Sequence, residues 1–356
     1  MSLNVVVKVT KDCNLACRYP CYYYHLVKRD ESVLDLSILK TLFDQVAGMP
    51  EVQKFNTVWH GGEPLLAGIH WFEKAIEIQH RSFSGSHVSV ENSIQTNGTL
   101  VDIGWAEFFA QNNFQVGVSV DGPWNDTFRR TRDNRDSLTS VLEGLSILQN
   151  HGSGSGGLAV VTKTSLGNAS KLLDFMLSHG INSFDILPNS ELDRSGNPLS
   201  NSITGDEYAD FVIELYEAWL ELDRDDVKIR VIEQMIGALL GCNPDLCMFC
   251  GSCDGVLCLD VNGDIYPCDE YVGDSKYILG NLKKETVADI VDGERYKEHV
   301  SLTAQLSETC MRCGFRQSCG GNCSKFRLKS ADKNTCFGRK KIFSYMKNKL
   351  KKQGYV

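Results

Sequence analysis

Three cysteines near the start of the chain have a spacing suited to metal chemistry. Cys13, Cys17 and Cys21 follow residues 5–9, an apolar run with the length and β-branched content of a buried strand. The cysteines are therefore predicted on the loop after a first β-strand. Three thiolates on one loop can bind three irons of a [4Fe–4S] cluster and leave the fourth iron open for chemistry.

A second cysteine group lies in the C-terminal third, and residues 22–241 contain no cysteine at all. A long chain without a signal peptide does not resemble a short, disulfide-stapled secreted domain, so the two groups are interpreted as iron–sulfur sites. The non-enzyme alternative is a binding protein stabilised by zinc or disulfides. The second group consists of Cys242, Cys247, Cys250, Cys253, Cys258, Cys268, Cys310, Cys313, Cys319, Cys323 and Cys336.

The composition limits the classes of partner. The 356 residues are 42% hydrophobic and 23% charged, and the formal net charge is −8. This acidic balance argues against a nucleic-acid partner, which would favour a basic face. No apolar run approaches the roughly 18 residues of a membrane span, and no basic-then-apolar signal begins the chain. We therefore expect no membrane contact and a cytoplasmic location.

Strand and helix patterns alternate through the first two-thirds of the chain. Six such units in series predict a parallel sheet with right-handed crossovers, whose active site lies at the carboxyl ends of the strands. The strands are predicted at 5–9, 55–59, 88–96, 116–120, 158–162 and 184–187, and the helices between them at 34–46, 69–80, 105–111, 138–150 and 171–179. Residues 152–157 are predicted as a flexible connection. Further helices are predicted at 208–222, 227–240 and 338–351, and a hairpin at 260–268.

Polar or glycine motifs recur where the predicted strands end. Gly61-Gly62-Glu63 follows the second strand, Gln95 and Asn97 end the third, and Ser119 ends the fourth, just before Asp121-Gly122-Pro123. One such motif is ordinary turn chemistry. Three in succession, at the edge where the cysteine loop is predicted, favour a ligand site.

With these motifs the chain resembles the radical SAM superfamily. The resemblance rests on Cys13, Cys17 and Cys21 with Asn14 and Tyr22, and on Gly-Gly-Glu-Pro at 61–64. The family's usual spacing is CxxxCxxC, whereas this chain has CxxxCxxxC with Pro20 where the third cysteine would fall. The resemblance implies an α/β fold, a partial (β/α)6 TIM-like barrel, with S-adenosyl-L-methionine (SAM) as a cofactor.

The resemblance also implies roles for individual residues. Gly61, Gly62 and Glu63 would hold the SAM amino group. Ser119, Gln95 and Asn97 would serve its carboxylate and ribose, and Arg129, or else Arg132 or Arg135, would pair with the carboxylate. Tyr22 would pack around the cluster and the adenine.

The second cysteine group resembles the SPASM auxiliary-cluster domain, through its spacings of nine and four around Gly263 and of two, five and three from Cys310 to Cys323. That resemblance implies two auxiliary [4Fe–4S] clusters, three in all. One would be held by Cys247, Cys253, Cys268 and Cys323, and the other by Cys310, Cys313, Cys319 and Cys336. Cys250 could replace Cys247, and Cys242, Cys250 and Cys258 are otherwise spare, most simply as small packing residues.

Asp269 follows Cys268 directly. In related sulfatase-maturing enzymes an aspartate at this place is a proposed base, so Asp269 is our candidate catalytic residue, with a turn cap as the alternative. The predicted domains are a radical SAM core over 1–235, a SPASM domain over 236–336 and a C-terminal helix over 337–356.

The resemblance implies reductive cleavage of SAM to a 5′-deoxyadenosyl radical that abstracts hydrogen from a peptide or protein side chain. Residues 60–68 and 184–188 favour a ribosomal-peptide maturase that forms a crosslink. Residues 93–100 and 266–269 suit the alternative, oxidation of Ser or Cys to formylglycine. Only 12 residues precede Cys13, too few for a leader-binding domain, so a small-molecule dehydrogenase or epimerase stays open. The expected electron donor is a flavodoxin or ferredoxin.

Overall fold

The computed structural model describes residues 1–19, 21, 28–192, 197–328 and 336–355. Pro20 and Tyr22 lie outside the described residues. The strands are β1 (Ser2–Thr10), β2 (Lys54–Gly61), β3 (Ser89–Thr96), β4 (Gln115–Ser119), β5 (Gly154–Val161), β6 (Ser183–Pro188), β7 (Lys228–Ile229), β8 (Val256–Leu259), β9 (Asp264–Tyr266) and β10 (Gly280–Asn281). The helices are α1 (Leu36–Ala47), α2 (Ile69–Phe83), α3 (Ile103–Gln111), α4 (Asn125–Phe128), α5 (Leu138–Asn150), α6 (Ala169–Ser178), α7 (Gly205–Leu222), α8 (Arg230–Leu239), α9 (Val287–Asp292), α10 (Glu294–Ala304), α11 (Glu308–Met311), α12 (Arg316–Cys319), α13 (Ser324–Leu328) and α14 (Arg339–Lys352).

The chain forms two compact units, each built from separate stretches of sequence. The first unit comprises Met1–Ser119, Arg129–Ser155 and Asp254–Val300, and the second comprises Val120–Phe128, Gly156–Cys253 and Ser301–Val356. These units do not follow the predicted domain limits of 1–235, 236–336 and 337–356, which remain a prediction.

The first unit contains a sheet in the order β10-β9-β8-β1-β2-β3-β4. Strands β1 to β4 are parallel neighbours in sequence order, and helices α1, α2 and α3 form the connections between them. Strand β8 pairs in parallel with the other edge of β1, with Val6 opposite Cys258. Strand β9 then turns back antiparallel to β8. A hairpin is therefore present around the predicted turn, but its first strand lies at 256–259, before the predicted segment 260–268, and this strand extends the parallel sheet.

The core of the first unit is aromatic. Alternate residues of β2 are buried, as expected for a strand with a helix-covered face. Phe55 and Trp59 on this strand pack against Phe43 of α1 and Phe72 of α2, with ring centroids 5.5 to 6.3 Å apart. Edge-to-face contacts of this kind add to the burial energy and fix the strand against its helices.

In the second unit β5, β6 and β7 are parallel neighbours. Helix α7 begins with a capping box in which Thr204 and Glu207 bond each other's backbone amides. Helix α14 buries Ile342, Phe343, Met346 and Leu350 on one face. Its Lys349 pairs with Glu217 of α7 at 2.5 Å, so the basic C-terminal segment is a packed helix, as predicted.

Two predicted elements differ from the structure. Residues 152–157 were predicted to connect a helix to a strand, but β5 already begins at Gly154. The helix predicted at 227–240 begins instead at Arg230, after the two-residue strand β7. In both places the boundary depends on hydrogen bonds to a neighbouring strand, which the local sequence does not predict. Within the described residues, no helix is both long and apolar enough to cross a bilayer.

Candidate active site and cluster sites

The cysteine loop follows β1 as predicted. Cys13 is buried, Cys17 and Cys21 are partly exposed, and none of the three forms a disulfide. The backbone amide of Cys13 donates to Asp12 Oδ1 at 2.9 Å, and that of Leu15 donates to Cys13 Sγ at 3.4 Å. The protein itself therefore fixes the start of the loop.

Two arginines hold the loop from outside. Arg132 Nε and Arg29 Nη1 both donate to the carbonyl oxygen of Cys13, at 2.8 and 3.0 Å. Arg132 also forms an ion pair with Asp12. Its guanidinium is therefore bonded to the residues that begin the loop. Arg135 pairs with Asp133 at the surface. Arg29 was missed, and no pattern around it would have revealed its role.

Arg129, the candidate partner of the SAM carboxylate, is buried. Its guanidinium carbon lies 5.5 Å from the centre of the Tyr19 ring, within the same unit as the cysteine loop. Tyr22, the candidate contact of the adenine, lies outside the described residues.

The Gly-Gly-Glu motif forms hydrogen bonds with the residues that lead from β1 into the cysteine loop. The amide of Gly62 donates to Thr10 O at 2.9 Å and that of Glu63 to Asp12 O at 2.8 Å. Gly61 has φ of +140°, and a Cβ there would lie 2.5 Å from Thr10 O. Only glycine permits this close approach of two strand ends.

The side chain of Glu63 is fully buried and joins two strand ends. Its carboxylate accepts from the amides of Leu65 and Asn97, at 3.1 and 2.7 Å, and from Thr96 Oγ1 at 2.7 Å. Burial raises the pKa of Glu63 to about 7. These bonds direct the carboxylate at the end of β3, and its role toward the SAM amine stays a prediction.

The remaining predicted SAM contacts form two groups. Asn97 Nδ2 donates to Asn14 Oδ1 at 2.8 Å and lies 3.8 Å from Cys13 Sγ, so it adjoins the cysteine loop. Gln95 instead donates to Ser119 Oγ at 2.9 Å. The strand ends thus present two polar pairs rather than one cluster.

Asp269 has a buried cationic partner. Its Oδ2 lies 3.6 Å from Nζ of Lys8, whose side chain is 0% exposed on β1. The Cys268 thiol donates to Asp269 Oδ1 at 3.3 Å. Asp269 is therefore held in place by a fixed charge, as a base must be. Lys8 was missed, although a lysine inside the apolar run 5–9 indicates a buried charge that needs a partner.

His60 lies opposite Lys8 in the register of β1 and β2. Burial, with the Lys8 charge, lowers the pKa of His60 to about 3. The imidazole is therefore neutral at ordinary pH, and the cation beside Asp269 is Lys8. His60 was also missed, although it directly precedes the Gly-Gly-Glu motif.

The spare cysteines divide by environment. Cys258 is fully buried on β8 in an apolar cluster with Tyr266, Tyr271 and Val272. Burial raises its pKa well above the usual range, as expected for an inert packing residue. Cys21 and Cys268 pack against this same cluster. Cys242 and Cys250 are exposed.

Four cysteines of the second unit line one cavity. Cys310, Cys313, Cys319 and Cys336 surround a volume of about 380 Å³ together with Arg339 and Phe343. These four are the set that the SPASM resemblance assigns to one auxiliary cluster. A cavity with four thiols and mainly apolar walls suits a [4Fe–4S] cluster, which cysteine thiolates bind.

The other assigned set is distributed between the units. Cys247, Cys253 and Cys323 belong to the second unit and Cys268 to the first. Cys253 Sγ lies 3.3 Å from Ser324 Oγ, while Cys247 is exposed.

All fourteen cysteines lie at described positions and none forms a disulfide. The disulfide-stabilised form of the non-enzyme alternative therefore finds no support in the structure.

Comparison with known proteins identifies the family. The model of the radical SAM superfamily matches residues 7–176, and that of an iron–sulfur cluster-binding domain, SPASM, matches residues 247–314. The serine-type anaerobic sulfatase-maturating enzyme of Bacteroides thetaiotaomicron is 30% identical over 352 residues, which cover 92% of this chain and 83% of that protein. The chain belongs to the radical SAM superfamily.

The same relationship extends to a cysteine-type relative and to solved structures. The cysteine-type anaerobic sulfatase-maturating enzyme of Clostridium perfringens is 29% identical and 96% of each chain is covered. The structure of anSMEcpe with bound AdoMet has a TM-score of 0.87 at 26% identity, covering 98% of both chains. The structure of anSMEcpe with AdoMet and the Cp18Cys peptide gives the same TM-score.

These findings confirm much of what the sequence predicted. This radical SAM enzyme has the predicted α/β fold with a partial barrel and a SPASM domain, and its cofactors are [4Fe–4S] clusters and SAM. The individual ligand and SAM-contact residues remain predictions.

Proposed function

We propose that this enzyme oxidises a seryl or cysteinyl side chain of a protein substrate to formylglycine. The observation that carries the proposal is similarity to sulfatase-maturating enzymes over 92% of the chain. Both serine-type and cysteine-type relatives match, at 30% and 29% identity, so either side chain could be the substrate. This replaces the crosslinking peptide maturase as the preferred function.

A peptide is the preferred substrate class because anSMEcpe binds the Cp18Cys peptide in a structure that superposes on this chain with a TM-score of 0.87. Cys13, Cys17 and Cys21 would hold the cluster that cleaves SAM, and the two groups would together supply a 5′-deoxyadenosyl radical able to remove a hydrogen atom from the substrate Cβ. The residues of the chain would orient SAM. We assign its amino group to the Gly61–Glu63 strand end, and its carboxylate and ribose to Arg129, Asn97, Gln95 and Ser119.

Asp269 would accept the second hydrogen as a proton. For a seryl substrate, removal of the Cβ hydrogen atom must be followed by loss of the hydroxyl proton and of one electron to give the aldehyde. The proton would go to Asp269, and an auxiliary cluster held in part by Cys268 would supply the acceptor for the electron. For a cysteinyl substrate the same steps give a thioaldehyde, which water converts to the aldehyde with release of hydrogen sulfide.

Lys8 would hold Asp269 in place for this proton transfer. The buried ammonium lies 3.6 Å from the carboxylate. The neutral His60 beside it adds no competing positive charge.

We assign three clusters to the cysteine sets that the resemblance implies. Cys13, Cys17 and Cys21 hold the SAM-cleaving cluster. Cys247, Cys253, Cys268 and Cys323 hold one auxiliary cluster, and Cys310, Cys313, Cys319 and Cys336 hold the other. A flavodoxin or ferredoxin as electron donor stays a prediction.

The test uses the reduced, fully loaded enzyme with SAM and the Cp18Cys peptide or its seryl counterpart. We expect deoxyadenosine together with a peptide aldehyde that a hydrazide reagent captures. Asp269→Asn should still form deoxyadenosine but lose nearly all aldehyde, whereas the partly exposed Asp274→Asn should behave as wild type. A peptide that loses two hydrogen atoms without becoming reactive to hydrazide would indicate a crosslink and contradict the proposal.

A further inference from the structure

Arg339 is a buried cation at the edge of the four-cysteine cavity. It begins α14, three positions after Cys336, and is 3% exposed. It lines the same cavity as Cys310, Cys313 and Cys319. A buried guanidinium is expensive unless it is paired, so its partners decide what it does.

The protein provides Arg339 with only weak partners. Its guanidinium carbon lies 4.1 Å from the centre of the Phe249 ring, and Nη2 donates to the thioether sulfur of Met248 at 2.5 Å. A thioether is a weak acceptor. Nη1 is buried and has no hydrogen-bond partner. In native proteins such a group calls for an explanation, such as an ion or ligand that completes the site.

Two of the four groups that act electrostatically on Arg339 are cysteines. These groups are, in order, Cys319, Tyr208, Cys323 and Asp185. The Oδ1 atom of Asp185 already accepts from the amides of Ile186 and Val231, at 2.9 and 3.1 Å. Among the described residues Arg339 has no carboxylate within ion-pair distance. The cysteine that shares the cavity with Arg339 and acts on its charge is therefore Cys319.

We propose that Arg339 tunes the redox potential of the auxiliary cluster in this cavity, with Nη1 as a hydrogen-bond donor to a cluster sulfur. The inference rests on the proposed assignment of Cys310, Cys313, Cys319 and Cys336 as ligands. Reduction adds a negative charge to a cluster that four thiolates already make anionic. A buried cation stabilises the reduced state more than the oxidised one, and so raises the potential.

The test compares neutral variants at two adjacent positions. Arg339→Met and Arg339→Gln remove the buried charge, and Lys340→Met removes an exposed charge from the rim of the same cavity. All three are made in a full-length background with Cys13, Cys17 and Cys21 changed to alanine, so that the remaining iron signals come from auxiliary clusters. Iron and sulfide content and an EPR-monitored redox titration are measured for each.

We expect both Arg339 variants to keep their iron and to show one auxiliary midpoint moved to a more negative potential. The ratio of reduced to oxidised cluster at a fixed potential should fall about tenfold, which is about 59 mV for a one-electron couple. Lys340→Met should leave the midpoint unchanged, because solvent screens an exposed charge.

Three results would overturn the inference. An unchanged midpoint in Arg339 variants that retain their iron would show that the charge does not act on the cluster. Loss of auxiliary iron from both Arg339 variants, with iron retained in Lys340→Met, would make Arg339 a structural residue. An equal shift in Lys340→Met would show a general effect of net charge. A parent protein without auxiliary iron would instead refute the ligand assignment itself.

Discussion

The two cysteine sites are held in different ways. The start of the Cys13 loop is fixed by the protein, because the backbone of Cys13 bonds to Arg29, Arg132 and Asp12, and Asn97 lies close to its sulfur. The four-cysteine cavity has much less support, since Cys310 and Cys319 lie on helices of four residues each. One site is preorganised for a reacting ligand, and the other depends on the group it binds for its stability.

The largest effect should come from the preorganised loop. Cys17→Ala removes one of three ligands and should abolish deoxyadenosine formation, with loss of about a third of the iron because one of three clusters is affected. Thermal unfolding should change little, since hydrogen bonds within the protein hold the loop. Deoxyadenosine and iron assays check this, with the exposed Cys242→Ala as the control. Wild-type deoxyadenosine formation would show that this loop does not hold the SAM-cleaving cluster.

Loss of a ligand in the cavity should affect stability as well as iron content. Cys319→Ala should lose a similar share of iron but also make the second unit unstable, because bound metal supplies part of its folding free energy. Limited proteolysis should cleave the 301–328 region faster than in wild type or in Cys242→Ala. If the variant resisted proteolysis like wild type, the contrast between the two sites would be wrong.

A smaller effect should follow from Glu63→Gln. The buried carboxylate accepts three hydrogen bonds, and an amide in its place turns one acceptor into a donor that faces a backbone amide. An unmatched buried group of this kind costs about 1–3 kcal/mol, so the free energy of unfolding and the affinity for SAM should both fall. Chemical denaturation and SAM binding measure these changes, with the exposed Glu73→Gln on α2 as the control. An unchanged SAM affinity would remove Glu63 from the SAM site.

The smallest effect concerns pH and Asp185 in the second unit. Burial raises the pKa of Asp185 to about 6, although Arg230 and Arg339 oppose the shift. The folded state thus binds this proton more tightly than the unfolded state. The resulting stability is fully present below the unfolded pKa of 3.8 and is lost as the pH rises through about 6.

Asp185→Asn keeps the Oδ1 acceptor and removes the charge. The free energy of unfolding of wild type should fall between pH 5 and pH 8, whereas that of Asp185→Asn should not. The advantage of the variant over wild type should therefore grow across this range, by about 2 kcal/mol at most. Denaturant unfolding at the two pH values measures the difference, with the exposed Asp225→Asn as the control. If the variant gained nothing at pH 8, the carboxyl would not titrate in this range.

Short, specific motifs located the candidate sites in the sequence. The spacing of Cys13, Cys17 and Cys21 placed them on the loop after β1, and the SPASM resemblance grouped the four cysteines that line the cavity. Hydrophobic periodicity identified β1 to β6 and their helices, although the start of β5 and of α8 depended on pairing with neighbouring strands.

The sequence did not reveal residues whose role depends on distant partners. Lys8 faces Asp269, 261 positions later in sequence, and Arg339 lies against Phe249. Neither belongs to a motif, so only the folded chain brings the charges to their partners. The addition of β8 to the edge of β1 was missed for the same reason, because four apolar residues at 256–259 do not specify which strand they pair with.

The pairing of β1 with β8 sets an order for folding during synthesis. Strand β1 is made first, but the partner for its outer edge ends only at Leu259, so this edge stays unpaired while most of the chain is translated. An unpaired apolar strand edge is a template for aggregation. A fragment that ends at residue 235 would carry that open edge permanently. In the whole chain the end of the sheet beyond β8 is the two-residue strand β10, which is too short to recruit another chain.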